Sequence, residues 1–279
     1  MMQLISGKSI ADEIKNRLRE ENAANRLVPH LAIINVGQNQ ENLVYIRLKE
    51  QAVAVIGGKC RTLHLPEDTE REKLLQEISL LNTDPDIDGI LLQLPISKKL
   101  DNYQEEFLSA IDITKDVDGF NPVTLGRLLR FSPGFISCGA LACLEILERY
   151  LDNLKGKQVT LVGDSFDIIL PLSIILTKKG CNVHVLPEYI PQRLPESDGF
   201  IFEKGAPLVV KREHINPGAV IIDAGFYWHD NRSCGNVDRE ALAEAEGYLA
   251  PVPGGIGPIL IAKLMENLTA AAKSRRGLL

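Results

Sequence analysis

The chain has 279 residues, a length that suits two modest domains better than one small core. Hydrophobic residues make up 45% and charged residues 24%, which is typical of a packed globular protein and argues against disorder. The formal net charge is −6, and no cluster of lysines and arginines is interrupted by aromatic residues, which argues against a nucleic-acid partner. A small-molecule substrate is therefore expected.

The sequence predicts a cytoplasmic protein without a membrane span or a metal. No apolar run approaches the roughly 20 residues that cross a bilayer. The first residues lack the basic and apolar regions of a secretory signal. The five cysteines are scattered, with no Cys-x-x-Cys pair and no histidine at a zinc spacing, so reduced thiols are expected.

The first half of the chain alternates short apolar runs with amphipathic stretches. Ile10, Ile14 and Leu18 recur at helical spacing and predict a first helix. Strands are then predicted at 31–36, 60–65 and 89–94, and helices at 41–57 and 69–82. Strands that alternate with helices of this length indicate parallel pairing in a layered α/β domain.

A second alternating series begins near residue 156. It predicts strands at 158–162, 182–186, 200–202 and 219–223, a helix at 167–179, and a last helix at about 257–273. The segment 131–138 is rich in Pro, Gly and Ser, and we expect an interdomain hinge there.

Tyr45 and Lys49 stand four residues apart on the predicted helix 41–57, so both project from one face. A lysine that is partly shielded from water beside an aromatic ring loses some preference for its charged form, which suits proton transfer near neutral pH. The ordinary alternative is a solvated surface lysine.

Gln93 lies inside the apolar run 89–94, and Pro95 marks the end of that strand. A buried amide must find hydrogen-bond partners or lose about 1–3 kcal/mol. The position is also the carboxyl end of a strand, where ligands bind in open α/β sheets. Gln93 is therefore either a ligand-binding amide or a structural one.

The segment Lys115–Gly119 offers two carboxylates, Asp116 and Asp118, beside a glycine. They suit the amino and ring N–H groups of a ligand, or an Asx-type turn. A metal is less expected because no histidine or further acid cluster accompanies them.

Two glycine-containing turns precede predicted helices. Residues 251–258 contain three glycines and three prolines, which permit close backbone approach to a ligand, but no P-loop lysine. Gly163-Asp164-Ser165 follows a strand where a dinucleotide-binding unit has its phosphate turn, yet the G-x-G-x-x-G spacing is absent. A cofactor-free α/β unit is an open alternative for this second turn.

Five segments in order resemble the bifunctional methylenetetrahydrofolate dehydrogenase/methenyltetrahydrofolate cyclohydrolase family, the FolD type, over essentially the full length. They are Tyr45-Ile-Arg-Leu-Lys49, Leu65-Pro-Glu-Asp68, Asp88-Gly-Ile-Leu-Leu-Gln-Leu-Pro95, Lys115-Asp-Val-Asp-Gly-Phe120 and Pro251-Val-Pro-Gly-Gly-Ile-Gly-Pro258. The resemblance implies an N-terminal α/β domain and a Rossmann-like NAD(P)-binding domain, with a C-terminal helix returning to the first domain. The implied boundaries are 1–137, completed by 256–279, and 138–255.

The resemblance also implies roles by position. Lys49 would transfer protons in the cyclohydrolase step, and Gln93 would hydrogen-bond Lys49 and help keep it neutral. Tyr45 would pack on the ring system of a tetrahydrofolate derivative, Asp118 would hold its pterin end, and Pro253, Gly254 and Gly255 would wall the cleft. Gly163, Asp164, Ser165 and Phe226 would contact NADP or NAD, and a homodimer is implied.

The cofactor half departs from the family pattern. Asp164 stands where the family has an arginine, Ile169 replaces a small residue, and 186–190 replaces a Cys-His-Ser segment. An aspartate repels a ribose 2′-phosphate and favours ribose hydroxyls, so we expect poor NADP affinity. A cyclohydrolase alone and a non-catalytic folate-binding paralogue are the alternatives to a bifunctional enzyme.

Overall fold

The computed structural model describes residues 1–132, 134–230 and 232–278, so the predicted hinge 131–138 is described except at residue 133. The chain forms two compact units. The small-sheet unit consists of Asp12–Ser137 with Ile261–Leu279, and the large-sheet unit consists of Met1–Ala11 with Cys138–Leu260.

The helices of the described residues are α1 (Gly7–Ala24), α2 (Gln40–Val55), α3 (Arg71–Thr83), α4 (Gln104–Ala110), α5 (Pro122–Leu129), α6 (Cys138–Tyr150), α7 (Ile169–Lys178) and α8 (Ile256–Arg275). The strands are β1 (Met2–Leu4), β2 (His30–Val36), β3 (Lys59–Leu65), β4 (Gly89–Leu92), β5 (Gln158–Val162), β6 (Asn182–Leu186), β7 (Gly199–Phe202), β8 (Val220–Asp223), β9 (Tyr227–His229), β10 (Arg232–Cys234) and β11 (Gly247–Ala250). None of the described helices is long and apolar enough to span a membrane.

The small-sheet unit is built on a parallel sheet of strand order β3-β2-β4. The central strand β2 is almost entirely buried, because a parallel sheet is covered on both faces and selects continuous apolar runs. Residues of α3, α4 and β4 pack with one face of β2 in a single apolar cluster. The strand β4 ends at Leu92, so Gln93 lies just past its carboxyl end.

The large-sheet unit contains a parallel sheet of order β1-β11-β8-β7-β5-β6 and, in the described residues, an antiparallel β9–β10 hairpin. The strand order reverses between β5 and β7, and this reversal creates the crevice in which doubly wound sheets bind ligands. The predicted fold class, an α/β domain with a Rossmann-like partner, is therefore confirmed.

The structure differs from the expected domain boundaries at both ends. Residues 1–11 belong to the large-sheet unit, not to the first domain, because β1 pairs in parallel with β11. Residues 256–260, at the start of α8, belong to the large-sheet unit as well. The strands β1 and β11 have no counterpart among the predicted elements.

Candidate active site

A buried lysine and a buried amide meet at one end of the small sheet. Lys49 on α2 donates from Nζ to Oε1 of Gln93, 2.9 Å away. Gln93 donates from Nε2 to the carbonyl of Leu94 at 2.8 Å, which fixes the orientation of the amide and directs its oxygen to the lysine. Lys49 is 6% exposed and Gln93 is 7% exposed. The lysine thus has a neutral acceptor here, which orients Nζ without the charge of a carboxylate.

Tyr45 lies one helical turn before Lys49 on α2. Its side chain is 40% exposed, so a ligand can reach part of the ring. Burial of the rest, followed by the nearby charge of Glu41, raises the pKa of Tyr45, which keeps the phenol protonated. A flat neutral ring beside Lys49 is suited to stacking on a planar ligand.

The start of α2 is fastened to the loop that follows Gln93. Asn39 caps the helix by accepting from the backbone amides of Glu41 and Asn42. Asn42 in turn donates from Nδ2 to the carbonyl of Pro95 at 2.8 Å. Sequence reasoning missed Asn42, although a buried asparagine in a helix that follows a strand is a signal for such a tether.

The two carboxylates of the Lys115–Gly119 segment have different surroundings. Asp116 is 2% exposed and accepts from the backbone amides of Phe120 and Asn121, so it shapes the turn. Burial raises the pKa of Asp116 to about 6, although these hydrogen bonds act in the opposite direction. Asp118 is more exposed, and is the carboxylate of the pair that a ligand can approach.

The Lys115–Gly119 segment is attached to the sheet beside Gln93. Ile90 of β4 donates its backbone amide to the carbonyl of Lys115 at 2.8 Å. Lys115 is itself a structural residue, since its Nζ donates to the carbonyls of Leu81 and Asp84. Asp118 is consequently carried on a turn that is fixed to β4, as Gln93 is.

Pro253, Gly254 and Gly255 lie in the large-sheet unit, in the turn before α8. Gly255 donates its amide to the carbonyl of Pro251 at 2.7 Å, and Gly7 donates to Gly254 at 2.9 Å. A Cβ on Gly255 would lie 2.5 Å from the carbonyl oxygen of Pro251, so the turn requires glycine there.

The turn after β5 contains the residues predicted to bind the cofactor. Gly163 has φ of +139°, and Ser165 Oγ accepts from the amides of Ile168 and Ile169 at the start of α7. Asp164 forms an ion pair with Lys204. Phe226 lies beyond the end of β8, is 47% exposed, and meets the ring of Trp228 edge to face.

One feature of this turn favours binding of a nicotinamide dinucleotide and another opposes it. The strand–turn–helix unit at the reversal of strand order is the arrangement that binds a pyrophosphate. The backbone amide of Ser165, however, already donates to Oε2 of Glu203 at 3.3 Å. The fold fits the cofactor, whereas the position of the Glu203 carboxylate opposes the pyrophosphate. No group of three metal-ligating side chains occurs among the described residues.

A chain with two parallel α/β units, one with a buried lysine–amide pair and the other with a dinucleotide-type turn, is a two-domain α/β enzyme of the dehydrogenase type. The sequence matches the catalytic domain of tetrahydrofolate dehydrogenase/cyclohydrolase over residues 5–118 and the NAD(P)-binding domain over residues 137–276. The chain belongs to this family, and the resemblance of its five motifs is confirmed.

Individual relatives support the same assignment over the full length. The chain is 52% identical over 278 residues to Bifunctional protein FolD 1 of Syntrophomonas wolfei subsp. wolfei, covering 99% of this chain and 100% of that protein. A crystal structure of FolD from Campylobacter jejuni is 31% identical, with a TM-score of 0.91 over 99% of this chain and 100% of that one. FolD of Trypanosoma brucei, solved with NADP cofactor and an inhibitor, is 27% identical, with a TM-score of 0.89 over 100% and 99%.

Proposed function

We propose that this chain oxidises 5,10-methylenetetrahydrofolate to the 5,10-methenyl compound and hydrolyses that compound to 10-formyltetrahydrofolate. Both domains of the family are present, and the 52% identical relative is named a bifunctional protein, which supports two activities in one chain. None of these matches favours a cyclohydrolase alone. The hydrogen bond between Lys49 and Gln93 is the structural observation that carries the proposal.

The hydrolytic step requires protons to move at two atoms. Water adds to the methenyl carbon and loses one proton. The added oxygen loses its second proton as the bond from that carbon to N5 breaks and N5 gains a proton, so that one proton is released overall. Lys49 is the proposed carrier, because it presents a buried amine, a group that can accept a proton and donate it again. Gln93 acts as a positioning residue: its neutral amide oxygen holds Nζ in place, and it does not stabilise the protonated lysine as a carboxylate would.

The remaining residues of the small-sheet unit are proposed to orient the folate. The half-exposed ring of Tyr45 stacks on the substrate ring system. The carboxylate of Asp118 accepts hydrogen bonds from the amino and ring N–H groups of the pterin. In the large-sheet unit, Pro253, Gly254 and Gly255 are proposed as further substrate-binding residues, because glycine lets the backbone approach a ligand closely.

A nicotinamide cofactor, when bound, supplies the hydride acceptor for the oxidation. Gly163, Asp164, Ser165 and Phe226 are the residues proposed to hold it. We propose that NADP binds weakly, because the Asp164 carboxylate repels a 2′-phosphate more than it repels ribose hydroxyls. The ion pair of Asp164 with Lys204 moderates this repulsion, and Asp164→Arg is expected to improve NADP binding selectively.

A cytoplasmic location and a homodimer complete the proposal. The five cysteines are free thiols, as is usual in a reducing compartment. Trp228 is 65% exposed and Ile190 is 62% exposed on the large-sheet unit, which supports a subunit contact there.

The decisive experiment compares Lys49→Ala with a matched surface variant. We expect Lys49→Ala to lower the rate of methenyltetrahydrofolate hydrolysis by about 100-fold or more, the usual contribution of general acid–base catalysis, while folate still binds. Lys73→Ala removes an exposed lysine that also contacts a glutamine, and should leave the rate unchanged. Unchanged hydrolysis by Lys49→Ala would remove this lysine from the mechanism.

The oxidative activity is tested separately. Reduced nicotinamide is measured with 5,10-methylenetetrahydrofolate as substrate, with NAD and NADP offered in separate reactions. Turnover with either cofactor supports a bifunctional enzyme, and a higher rate with NAD supports the role given to Asp164. Hydrolysis without any turnover would refute the oxidative half.

A further inference from the structure

Glu203 is held at the point where the strand order of the large sheet reverses. It follows β7 directly, and its backbone amide donates to the carbonyl of Val162, the last residue of β5, at 2.9 Å. The amide of Lys204 donates to the same carbonyl at 3.2 Å. These two bonds fasten the backbone of Glu203 beside the Gly163–Ser165 turn.

The side chain of Glu203 extends over that turn. Its Oε2 accepts from the backbone amide of Ser165 at 3.3 Å. A Cβ built on Gly163 would lie 2.2 Å from the same oxygen, so the carboxylate fills the space that the glycine leaves open. An open glycine and a free amide before a helix are the features with which such a turn receives a phosphate.

The charges around Glu203 do not favour a second anion. Burial, followed by the negative charges of Asp167 and Asp164, raises the pKa of Glu203, while hydrogen bonds from Ser165 lower it. Burial also raises the pKa of Asp167. Lys204 is the cation next to this group, and it is paired with Asp164.

We propose that the Glu203 carboxylate is a built-in occupant of the phosphate-binding turn and sets the affinity of this site for any dinucleotide. Any dinucleotide must displace this carboxylate from the Ser165 amide before its pyrophosphate can bind. Glu203 therefore lowers the affinity for NAD and NADP alike, whereas Asp164 discriminates against the 2′-phosphate only. The inference rests on the proposed nicotinamide site, because it concerns the same turn.

The test measures the dissociation constants of NAD⁺ and NADP⁺ by calorimetry on the full chain. Glu203→Gln keeps the size of the side chain and removes its charge, and Glu203→Ala removes both. We expect each variant to bind both cofactors about tenfold or more tightly than the wild type, from the loss of charge repulsion at close range. Glu148→Gln is the control, because Glu148 is an exposed carboxylate of the large-sheet unit that pairs with Lys179 at the far end of α7, and its effect should stay below about twofold.

The outcomes separate this inference from the proposed function. If neither Glu203 variant tightens binding, or if Glu148→Gln tightens it equally, Glu203 does not occupy the phosphate position. Equal tightening for NAD⁺ and NADP⁺ supports occupation of the pyrophosphate position, whereas an effect on NADP⁺ alone contradicts it. The rate of methenyltetrahydrofolate hydrolysis, measured on the same samples, reports on the proposed function independently. Thermal unfolding verifies that each variant is folded.

Discussion

Gln93→Glu is the change that most directly tests the neutral partner of Lys49. It replaces an amide oxygen 2.9 Å from Nζ with a carboxylate of nearly the same shape. Two unit charges at this separation attract each other by about 6 kcal/mol at an effective dielectric constant of ~20. Desolvation of the buried pair offsets part of this attraction.

Even half of that attraction is enough to hold the proton on Nζ. About 2.7 kcal/mol corresponds to a 100-fold change in proton affinity, since each factor of ten is 1.36 kcal/mol. We therefore expect Gln93→Glu to lower the hydrolysis rate at pH 7 by about 100-fold. The rate of the variant should recover as the pH rises, because the lysine then loses its proton.

The assay follows the disappearance of methenyltetrahydrofolate between pH 6 and 10 at saturating substrate. Gln76→Glu provides a matched control, because Gln76 also accepts from a lysine, Lys73, but on the exposed surface of α3. Gln93→Met removes the hydrogen bond without adding charge, and its pH profile should keep the wild-type position. A Gln93→Glu enzyme with the wild-type rate and pH profile would show that the charge of Lys49 does not govern hydrolysis.

Two further predictions concern stability. Asp116 has a pKa raised by burial to about 6, so the folded state binds its proton more tightly than the unfolded state, and stability should fall as the pH rises from about 4 to 6. Across this pH range, chemical unfolding should show a loss in the free energy of unfolding that is smaller by about 3 kcal/mol in Asp116→Asn than in the wild type. Parallel plots of this free energy against pH for the two proteins would contradict the prediction. Asp88 is 1% exposed and accepts from both terminal nitrogens of Arg276 and from the amide of His30. Because Arg276 is partly exposed, Asp88→Ala should lower the free energy of unfolding by about 2 kcal/mol. The exposed control Asp86→Ala should lower it by less than ~0.5 kcal/mol. Equal values for the two variants would show that the ion pair of Asp88 with Arg276 does not stabilise the end of α8.

Sequence analysis identified strands with continuous apolar runs and also two strands, 60–65 and 182–186, in which apolar and polar residues are mixed. His30–Val36 and Gly89–Leu92 are buried on both faces, and a strand of this kind is visible from composition alone. Met2–Leu4 and Gly247–Ala250 are three and four residues long, and their pairing depends on a partner far along the chain. Local patterns contain no information about such a partner.

The same distinction holds for the candidate sites. Helical spacing predicts that Tyr45 and Lys49 share a face, and the end of β4 explains why Gln93 is near them. Spacing does not distinguish Asp116 from Asp118, because the difference between them is burial. The contact of Glu203 with the Gly163–Ser165 turn depends on parallel pairing of β5 and β7. Both strands were predicted. A charged residue just after one of two adjacent parallel strands is therefore the sequence signal for such a contact.

The pairing of β1 with β11 has a consequence for synthesis of the chain on the ribosome. Met2–Leu4 is translated long before its partner strand Gly247–Ala250. Strand β1 must therefore remain unpaired while all the residues between the two strands are made, and long-range pairing of this kind slows folding. The small-sheet unit also needs residues from the far end of the chain, since it includes Ile261–Leu279. Neither unit is therefore complete before these late residues are translated: the large sheet lacks the pairing of β1 with β11, and the small-sheet unit lacks its part of α8.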